Sequence, residues 1–208
     1  METDPTPLPL SLWQELRADF RRYQYPNPQK WYVVVFLTQG FWATCAYRLS
    51  RRILTKRAWP LLGPLLKLLL VLWRKLLEIL TGIHIPDESV IGKALHIAHF
   101  GPTLIGVERM GDNCSLSQGV TIGYGGRGEK RGRPTIGDRV YIGANVVIVG
   151  DITIGDDAAI AAGAIVVSSV PPRGVVMGNP ARVIGYEGSF DLIHYEGMET
   201  DPARKPQG

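Results

Sequence analysis

One aliphatic residue returns at every sixth position between Thr135 and Val167, a spacing that fits neither a helix nor an ordinary sheet. The first lane of apolar positions is Ile136, Ile142, Ile148, Ile154, Ile160 and Val166. A second lane, four residues later, is Val140, Val146, Ile152, Ala158, Ala164 and Val170. Glycine or alanine follows four of the first-lane residues, where a corner needs a small side chain. This hexapeptide repeat predicts a parallel β-helix in which three six-residue units close one triangular coil.

The repeat extends back to Ile91 through Ile97, Met110, Leu116 and Ile122, which predicts about five stacked coils. An ordinary β-sandwich is the alternative fold. We predict a mainly β solenoid over residues 83–186, a small α-helical region over 1–82 and a flexible tail over 187–208. The polar, glycine-rich stretch 124–133 interrupts the repeat and is predicted to protrude as a loop.

The N-terminal region has three apolar or amphipathic stretches. Ser11 and Gln14 form a capping box for a helix through about Tyr23. The stretch 31–47 has no charged residue, and a leucine-rich helix is predicted from about Pro64 to Leu80. Because this last helix is apolar around most of its circumference, its surface must be shielded from water by another group. Other protein segments, peripheral membrane contact through residues 48–80 and a membrane span are the alternatives.

The composition of the chain indicates in which compartment the protein acts and which classes of partner it binds. Residues 1–82 hold twelve Lys or Arg against five Asp or Glu, so the basic character belongs to this region and not to the solenoid. We expect no nucleic-acid partner. Cys45 and Cys114 lie far apart, and Cys114 falls in the inward lane, so neither is predicted to be redox-active. The first ten residues lack the features of a signal peptide, and we expect a cytoplasmic protein.

Three of the four histidines, His84, His96 and His99, lie within sixteen positions. Because Leu95 and Ile97 compete for the inward lane, at least one of these histidines should face a surface or a groove. A histidine of near-neutral pKa suits the removal of a proton from a hydroxyl group. Ordinary surface histidines and a three-histidine zinc site are the alternatives; we expect no metal.

The hexapeptide lanes, the turn IAHFG, the glycine-rich loop and the closing VVMGNPARVIG together resemble the serine O-acetyltransferase family of hexapeptide acyltransferases. The resemblance covers about residues 31–186, and the chain is similar to a shortened branch associated with exopolysaccharide synthesis. It implies a left-handed parallel β-helix, assembled as a homotrimer or a dimer of trimers, with acetyl-CoA bound between neighbouring subunits.

The resemblance also implies roles for single residues. His99 matches the general base, which deprotonates the acceptor hydroxyl as it attacks the thioester directly. Backbone contacts to the pantetheine arm are implied at Ala144 and Ala162, and the neighbourhood of the thioester at Gly125 and Gly126. Arg173 and Arg182 are candidate partners of the nucleotide phosphates, since guanidinium groups suit phosphate. His96 is a further candidate for acceptor binding.

The chain departs from the family around the acceptor. His84 stands where the family has the aspartate that orients the base, and it is a candidate to hydrogen-bond His99 instead. Asp87 and Glu88 are alternative partners. Ala98 replaces an aspartate, and Arg133 replaces a serine-binding histidine, although Arg133 suits a carboxylate. The last residue is Gly208 in place of an isoleucine, so the next enzyme of cysteine synthesis is not a predicted partner.

We therefore predict an acetyl-CoA-dependent O-acetyltransferase, with L-serine as the acceptor. The first alternative is a hydroxyl group of a sugar or an exopolysaccharide precursor. The second is a non-catalytic trimeric scaffold, which the missing aspartate would explain.

Overall fold

The computed structural model describes residues 10–25, 28–55, 63–128 and 131–204. Four helices precede the solenoid: α1 (Leu12–Gln24), α2 (Trp31–Leu37), α3 (Gln39–Thr55) and α4 (Gly63–Thr81). The capping box of α1 is present, since Ser11 and Gln14 each satisfy the other's backbone N–H. The predicted first and last helices are confirmed, and the uncharged stretch between them forms α2 and most of α3.

Fifteen short strands follow the helices. They are β1 (Ile83–His84), β2 (Val90–Ile91), β3 (His96–Ile97), β4 (Thr103–Ile105), β5 (Arg109–Met110), β6 (Ser115–Leu116), β7 (Thr121–Gly123), β8 (Thr135–Ile136), β9 (Tyr141–Ile142), β10 (Val147–Val149), β11 (Thr153–Ile154), β12 (Ala159–Ile160), β13 (Ile165–Val166), β14 (Val175–Gly178) and β15 (Ala181–Gly185). From β1 to β10 each strand pairs in parallel with the strand three positions later, β12 pairs in parallel with β14, and among the described strands only β14 and β15 pair antiparallel. The predicted left-handed parallel β-helix is confirmed.

Three sheets form the sides of the prism. Side A contains β1, β4, β7, β10 and β13, side B contains β2, β5, β8 and β11, and side C contains β3, β6, β9, β12, β14 and β15. In the fifth coil, side B is a single bridge between Ile154 and Val170. Both predicted lanes are buried inside the coils, and the five isoleucines of the first lane are at most 1% exposed. Burial of these lanes is the main source of solenoid stability.

The helical region is attached to the first coil by buried polar groups. The Asp19 carboxylate accepts hydrogen bonds from the Arg48 side chain and from the Leu95 backbone N–H. The Tyr23 hydroxyl bonds the backbone of Ile97, donating to its carbonyl and accepting from its N–H. These contacts hold α1 and α3 against β3, so the two helices pack on the first coil at side C.

The segment after β15 differs from the predicted flexible tail. Residues 186–204 fold back along side C, with Ile193 and Tyr195 buried. The Ser189 hydroxyl donates to the Arg139 carbonyl, and the Tyr25 hydroxyl donates to Glu199 over 2.6 Å. The segment has few apolar residues, but those few are spaced to bury against the solenoid. Residues 205–208 lie outside the described residues.

Helix α4 packs on α3 and β1 but leaves most of its apolar side chains uncovered. The exposed ones are Leu65, Leu66, Leu68, Leu69, Val71, Leu72, Trp73, Leu76, Ile79 and Leu80. Among the described helices, none is both long and apolar enough to cross a membrane.

Candidate active site

One edge of the prism, between sides C and A, carries the predicted base. Strands β3, β6, β9 and β12 stack in register at their inward residues. The residues two positions later form one row along the edge: His99, Gln118, Ala144 and Ala162. Coils lie about 4.8 Å apart, so the backbone at Ala144 is about 10 Å and that at Ala162 about 14 Å from His99. The structure therefore aligns the predicted base with both predicted pantetheine contacts.

The edge is open beside this row. A Cβ atom added at Gly163 would meet nothing within 4 Å, and the Ala162 side chain is exposed. The carbonyl of Ala144 accepts a bond from the N–H of Gly163, which holds consecutive corners together. Small side chains and an open edge allow an extended molecule to lie against the backbone.

His99 lines a cavity of ≈ 390 Å³ between side C, α1 and the C-terminal segment. The other polar residues that line it are Arg22, Tyr23, Tyr25, Gln29, His96, Ser115, Ser117, Tyr141 and His194. His96, Ser115 and Tyr141 occupy one register position on consecutive coils, so they form a polar row on the outer face of side C. The His99 side chain is exposed and forms no hydrogen bond with another described residue.

His96 is largely buried within this wall. Its ring lies 4.7 Å from that of Tyr23, and its Nδ1 lies 3.4 Å from the Ser115 hydroxyl oxygen. Burial, followed by the charges of Arg22 and His99, lowers the pKa of His96 to about 3. His96 is therefore neutral at physiological pH and serves as a hydrogen-bonding group, not as a charge.

This lowered pKa predicts acid sensitivity. The unfolded chain binds a proton at His96 below about pH 6.5, whereas the folded chain does not bind it until about pH 3. Stability from this group is therefore complete above pH 6.5 and is lost as the pH falls toward 3. We expect His96→Gln to reduce the slope of unfolding free energy against pH by about 1 kcal/mol per pH unit between pH 6 and 4. Urea titrations at several pH values measure this slope, and a slope that is the same in His96→Gln and in the wild type would contradict the prediction.

His84 lies on side A, in β1, and its Nδ1 is 2.9 Å from the Glu78 carboxylate. Glu78 also pairs with Lys75 and Arg74, so it is the centre of a small charged cluster at the end of α4. Within the described residues, no hydrogen bond joins His84 to His99. The carboxylate that supports His84 therefore comes from the preceding helix, which the sequence did not indicate. Asp87, an alternative partner of His99 in the sequence, pairs with Arg74.

The predicted thioester glycines lie at a different edge, between sides A and B. Gly125 pairs with Gly132 across the base of the loop, which leaves the prism after β7. The loop is exposed at Tyr124 and Arg131, as predicted, although residues 129–130 lie outside the described residues. Arg133 ends this loop and lies 3.9 Å from Glu88. Gly125, Gly126 and Arg133 are therefore absent from the walls of the His99 cavity within one chain.

The two predicted phosphate partners occupy separate places near the last coil. Arg173 lies at a corner with φ of 61°, and its guanidinium carbon lies 5.0 Å from the centre of the Phe190 ring. Arg182 is exposed on β15. Among the described residues, no group of three or more His, Cys, Asp or Glu side chains is arranged to hold a metal ion.

Apart from His96 and His99, the polar residues that line the cavity were not predicted as site residues; they include Arg22, Ser115, Tyr141 and His194. The six-residue period does place Ser115 and Tyr141 at the same register position as His96, so their clustering was available in the sequence. No sequence signal indicated Arg22 or His194, because both reach the cavity from segments outside the repeat.

Comparison with known proteins agrees with this architecture. The family model described as "Bacterial transferase hexapeptide (six repeats)" matches residues 133–168. The serine acetyltransferase of Mycobacterium tuberculosis is 36% identical over 173 residues, which cover 82% of this chain and 72% of that protein. The crystal structure of the Neisseria gonorrhoeae serine acetyltransferase superposes with a TM-score of 0.71 at 31% identity, covering 84% of this chain and 66% of that one.

The gonococcal structure in complex with serine gives a TM-score of 0.69 at 31% identity, covering 84% of this chain and 69% of that chain. The matched region thus spans 66% of the gonococcal chain and 72% of the mycobacterial protein. On these similarities in sequence and fold, the chain belongs to the serine acetyltransferase family.

Proposed function

We propose that the chain is an acetyl-CoA-dependent serine O-acetyltransferase in which His99 is the general base. The observation that carries the proposal is the row of His99, Ala144 and Ala162 along one open edge, with His99 at a polar cavity. The solved relative in complex with serine supports the choice of acceptor. The family's acetyl transfer fits this edge because its small side chains leave room for a pantetheine arm.

His99 removes the proton from the acceptor hydroxyl as the oxygen attacks the thioester carbonyl carbon. The new C–O bond forms, the C–S bond breaks, and the His99 imidazolium returns its proton to the leaving thiolate. No covalent acyl-enzyme is needed. His84, supported by Glu78, stands at the family's dyad position as a positioning residue. Arg173 and Arg182 stay candidates for the nucleotide phosphates.

Product identification tests this function directly. Purified protein is incubated with acetyl-CoA and L-serine, and the products are separated and identified by mass spectrometry. We expect O-acetylserine and free CoA in equal amounts. Free CoA without an acetylated acceptor would indicate thioester hydrolysis instead and would contradict the proposal.

A homotrimer is part of the proposal, with dimers of trimers as the alternative. The two edges that flank side A carry different halves of the predicted site: His99, Ala144 and Ala162 at one, and Gly125 with Gly126 at the other. Packing the side A edges of neighbouring chains together would bring the two halves into one cleft. This arrangement would also bring Arg133 near the acceptor. Light scattering after size exclusion measures the oligomer, and a monomer with full activity would overturn the arrangement.

A sugar acceptor on a membrane-borne precursor is the alternative function, and the exposed apolar surface of α4 is the observation that favours it. Lys67 and Lys75 lie on the same helix, so the helix has the composition of an interfacial segment. The relatives described above are serine acetyltransferases, and none of them favours an exopolysaccharide-type branch. Within residues 48–80, positions 56–62 lie outside the described residues.

We place the protein in the cytoplasm, with partner subunits covering α4. Sedimentation with anionic vesicles distinguishes burial of α4 against partner subunits from contact of α4 with a membrane. Protein that stays in the supernatant supports coverage by protein, whereas salt-sensitive sedimentation supports the membrane-associated alternative.

A further inference from the structure

The Arg22 side chain is a buried cation without a counter-ion. The residue is 6% exposed and lies in α1, at the wall of the His99 cavity. Its Nη2 donates to the Ser115 hydroxyl over 2.7 Å, while its Nε is buried and has no partner. Among the described residues, no carboxylate forms an ion pair with it. A buried guanidinium with one neutral partner is costly, which is expected where an anionic ligand completes the site.

His96 lines the same cavity as Arg22 and the proposed base. Its Nδ1 faces the Ser115 hydroxyl that Arg22 also bonds, and burial, followed by the charges of Arg22 and His99, lowers its pKa. Because His96 stays neutral, Arg22 is the permanent charge in this wall. A neutral imidazole that accepts at Nδ1 carries its one proton on Nε2, so the Nε2–H group of His96 is available as a donor. The cavity therefore combines a buried cation with the proposed base.

We propose that Arg22 binds the carboxylate of the acceptor, so that the cavity selects a small hydroxy acid over a neutral alcohol or sugar. This inference rests on the proposed acetyl transfer by His99. A guanidinium group suits a carboxylate by charge and planar geometry. Within one chain Arg133, predicted for the same task, lies at the other edge beside Glu88, so it could reach the acceptor only from a neighbouring subunit of the proposed trimer. Arg22 is the arginine that lines the His99 cavity within one chain.

Arg22→Met tests the assignment with two acceptors. L-serine is compared with serinol, which keeps the amine and the hydroxyl but has a hydroxymethyl group in place of the carboxylate. We expect kcat/KM for L-serine to fall by about 10- to 100-fold in the variant, while the value for serinol changes less than about threefold. An equal loss for both acceptors, or no loss for L-serine, would overturn the assignment.

A stability measurement separates ligand binding from a structural role. Since Arg22 is buried and unpaired, Arg22→Met should leave the melting temperature of the unliganded protein unchanged or higher. L-serine should raise the melting temperature of the wild type but not that of Arg22→Met. Arg21→Met is the matched control, because Arg21 is an exposed neighbour paired with Glu196, and it should keep the wild-type response. A lower melting temperature of unliganded Arg22→Met would point to a structural arginine and count against the proposal.

The same measurements distinguish failure of this inference from failure of the proposed function. If the wild type acetylates neither acceptor, yet L-serine stabilises it through Arg22 and serinol does not, the carboxylate site stands and the acetyl transfer fails. If the wild type acetylates both acceptors equally well, the acetyl transfer stands and the carboxylate site is wrong.

Discussion

His99→Ala lowers kcat for acetyl transfer by about 10²- to 10⁴-fold, because the variant lacks the group that removes the hydroxyl proton. The His99 side chain is exposed and forms no hydrogen bond with another described residue, so its truncation should leave the melting temperature unchanged. Steady-state thiol release from acetyl-CoA measures kcat, and the dissociation constant of CoA should change little. This is one of the two largest effects that we expect.

His84→Ala tests the second predicted histidine, which we propose as a positioning residue. Its imidazole is held by Glu78, and no hydrogen bond joins it to His99 in the described chain. We therefore expect a loss of about tenfold or less, the scale of one hydrogen bond. A wild-type kcat in His99→Ala would show that the proposed base is wrong. If the wild type also lacks transferase activity with every acceptor tested, the non-catalytic scaffold becomes the better account.

Asp19→Leu lowers the free energy of unfolding by about 3–5 kcal/mol, because it leaves the Arg48 guanidinium buried and unpaired. The two side chains are 0% and 2% exposed, and their closest atoms are 2.9 Å apart. Arg48 also donates to the Ile91 carbonyl over 2.7 Å, so the pair ties two helices to the first coil. Urea unfolding at one protein concentration measures the change.

A double-mutant cycle isolates the ion pair. The variant Asp19→Leu/Arg48→Met removes both charges, so we expect it to be more stable than Asp19→Leu alone. Arg21→Gln breaks an exposed pair with Glu196 and should cost about 1 kcal/mol or less. If Asp19→Leu costs no more than this surface control, the pair does not hold the helices to the solenoid.

The solenoid was predictable because its burial pattern is local. Each coil buries the same two lanes, so Ile136 and its successors every six residues indicate the fold without knowledge of distant contacts. The cap of α1 is equally local, since Ser11 and Gln14 are three residues apart. The row of His99, Ala144 and Ala162 follows from the same period once the extra residue between Ile97 and Met110 and the excursion at 124–133 are counted.

The remainder of the site depends on contacts between distant segments, and no periodicity indicates those contacts. Arg22 and Ser115 are 93 positions apart, and Asp19 and Arg48 are 29 positions apart on two helices. The C-terminal segment carries only a few apolar residues, so its composition suggested a flexible tail although Ile193 is fully buried. Glu78 was missed as the partner of His84 because it lies in the preceding helix.

Competition between acceptors tests the central claim most directly. The purified wild-type protein is given acetyl-CoA with equal concentrations of L-serine, nucleotide sugars and oligosaccharides, and the acetylated products are quantified. We predict that O-acetylserine accounts for nearly all of the released CoA and that His99→Ala slows its formation by about 10²- to 10⁴-fold. Acetylated sugar as the main product, with L-serine unchanged, would contradict the account and would mean that His84, Ala98 and Arg133 mark a changed acceptor.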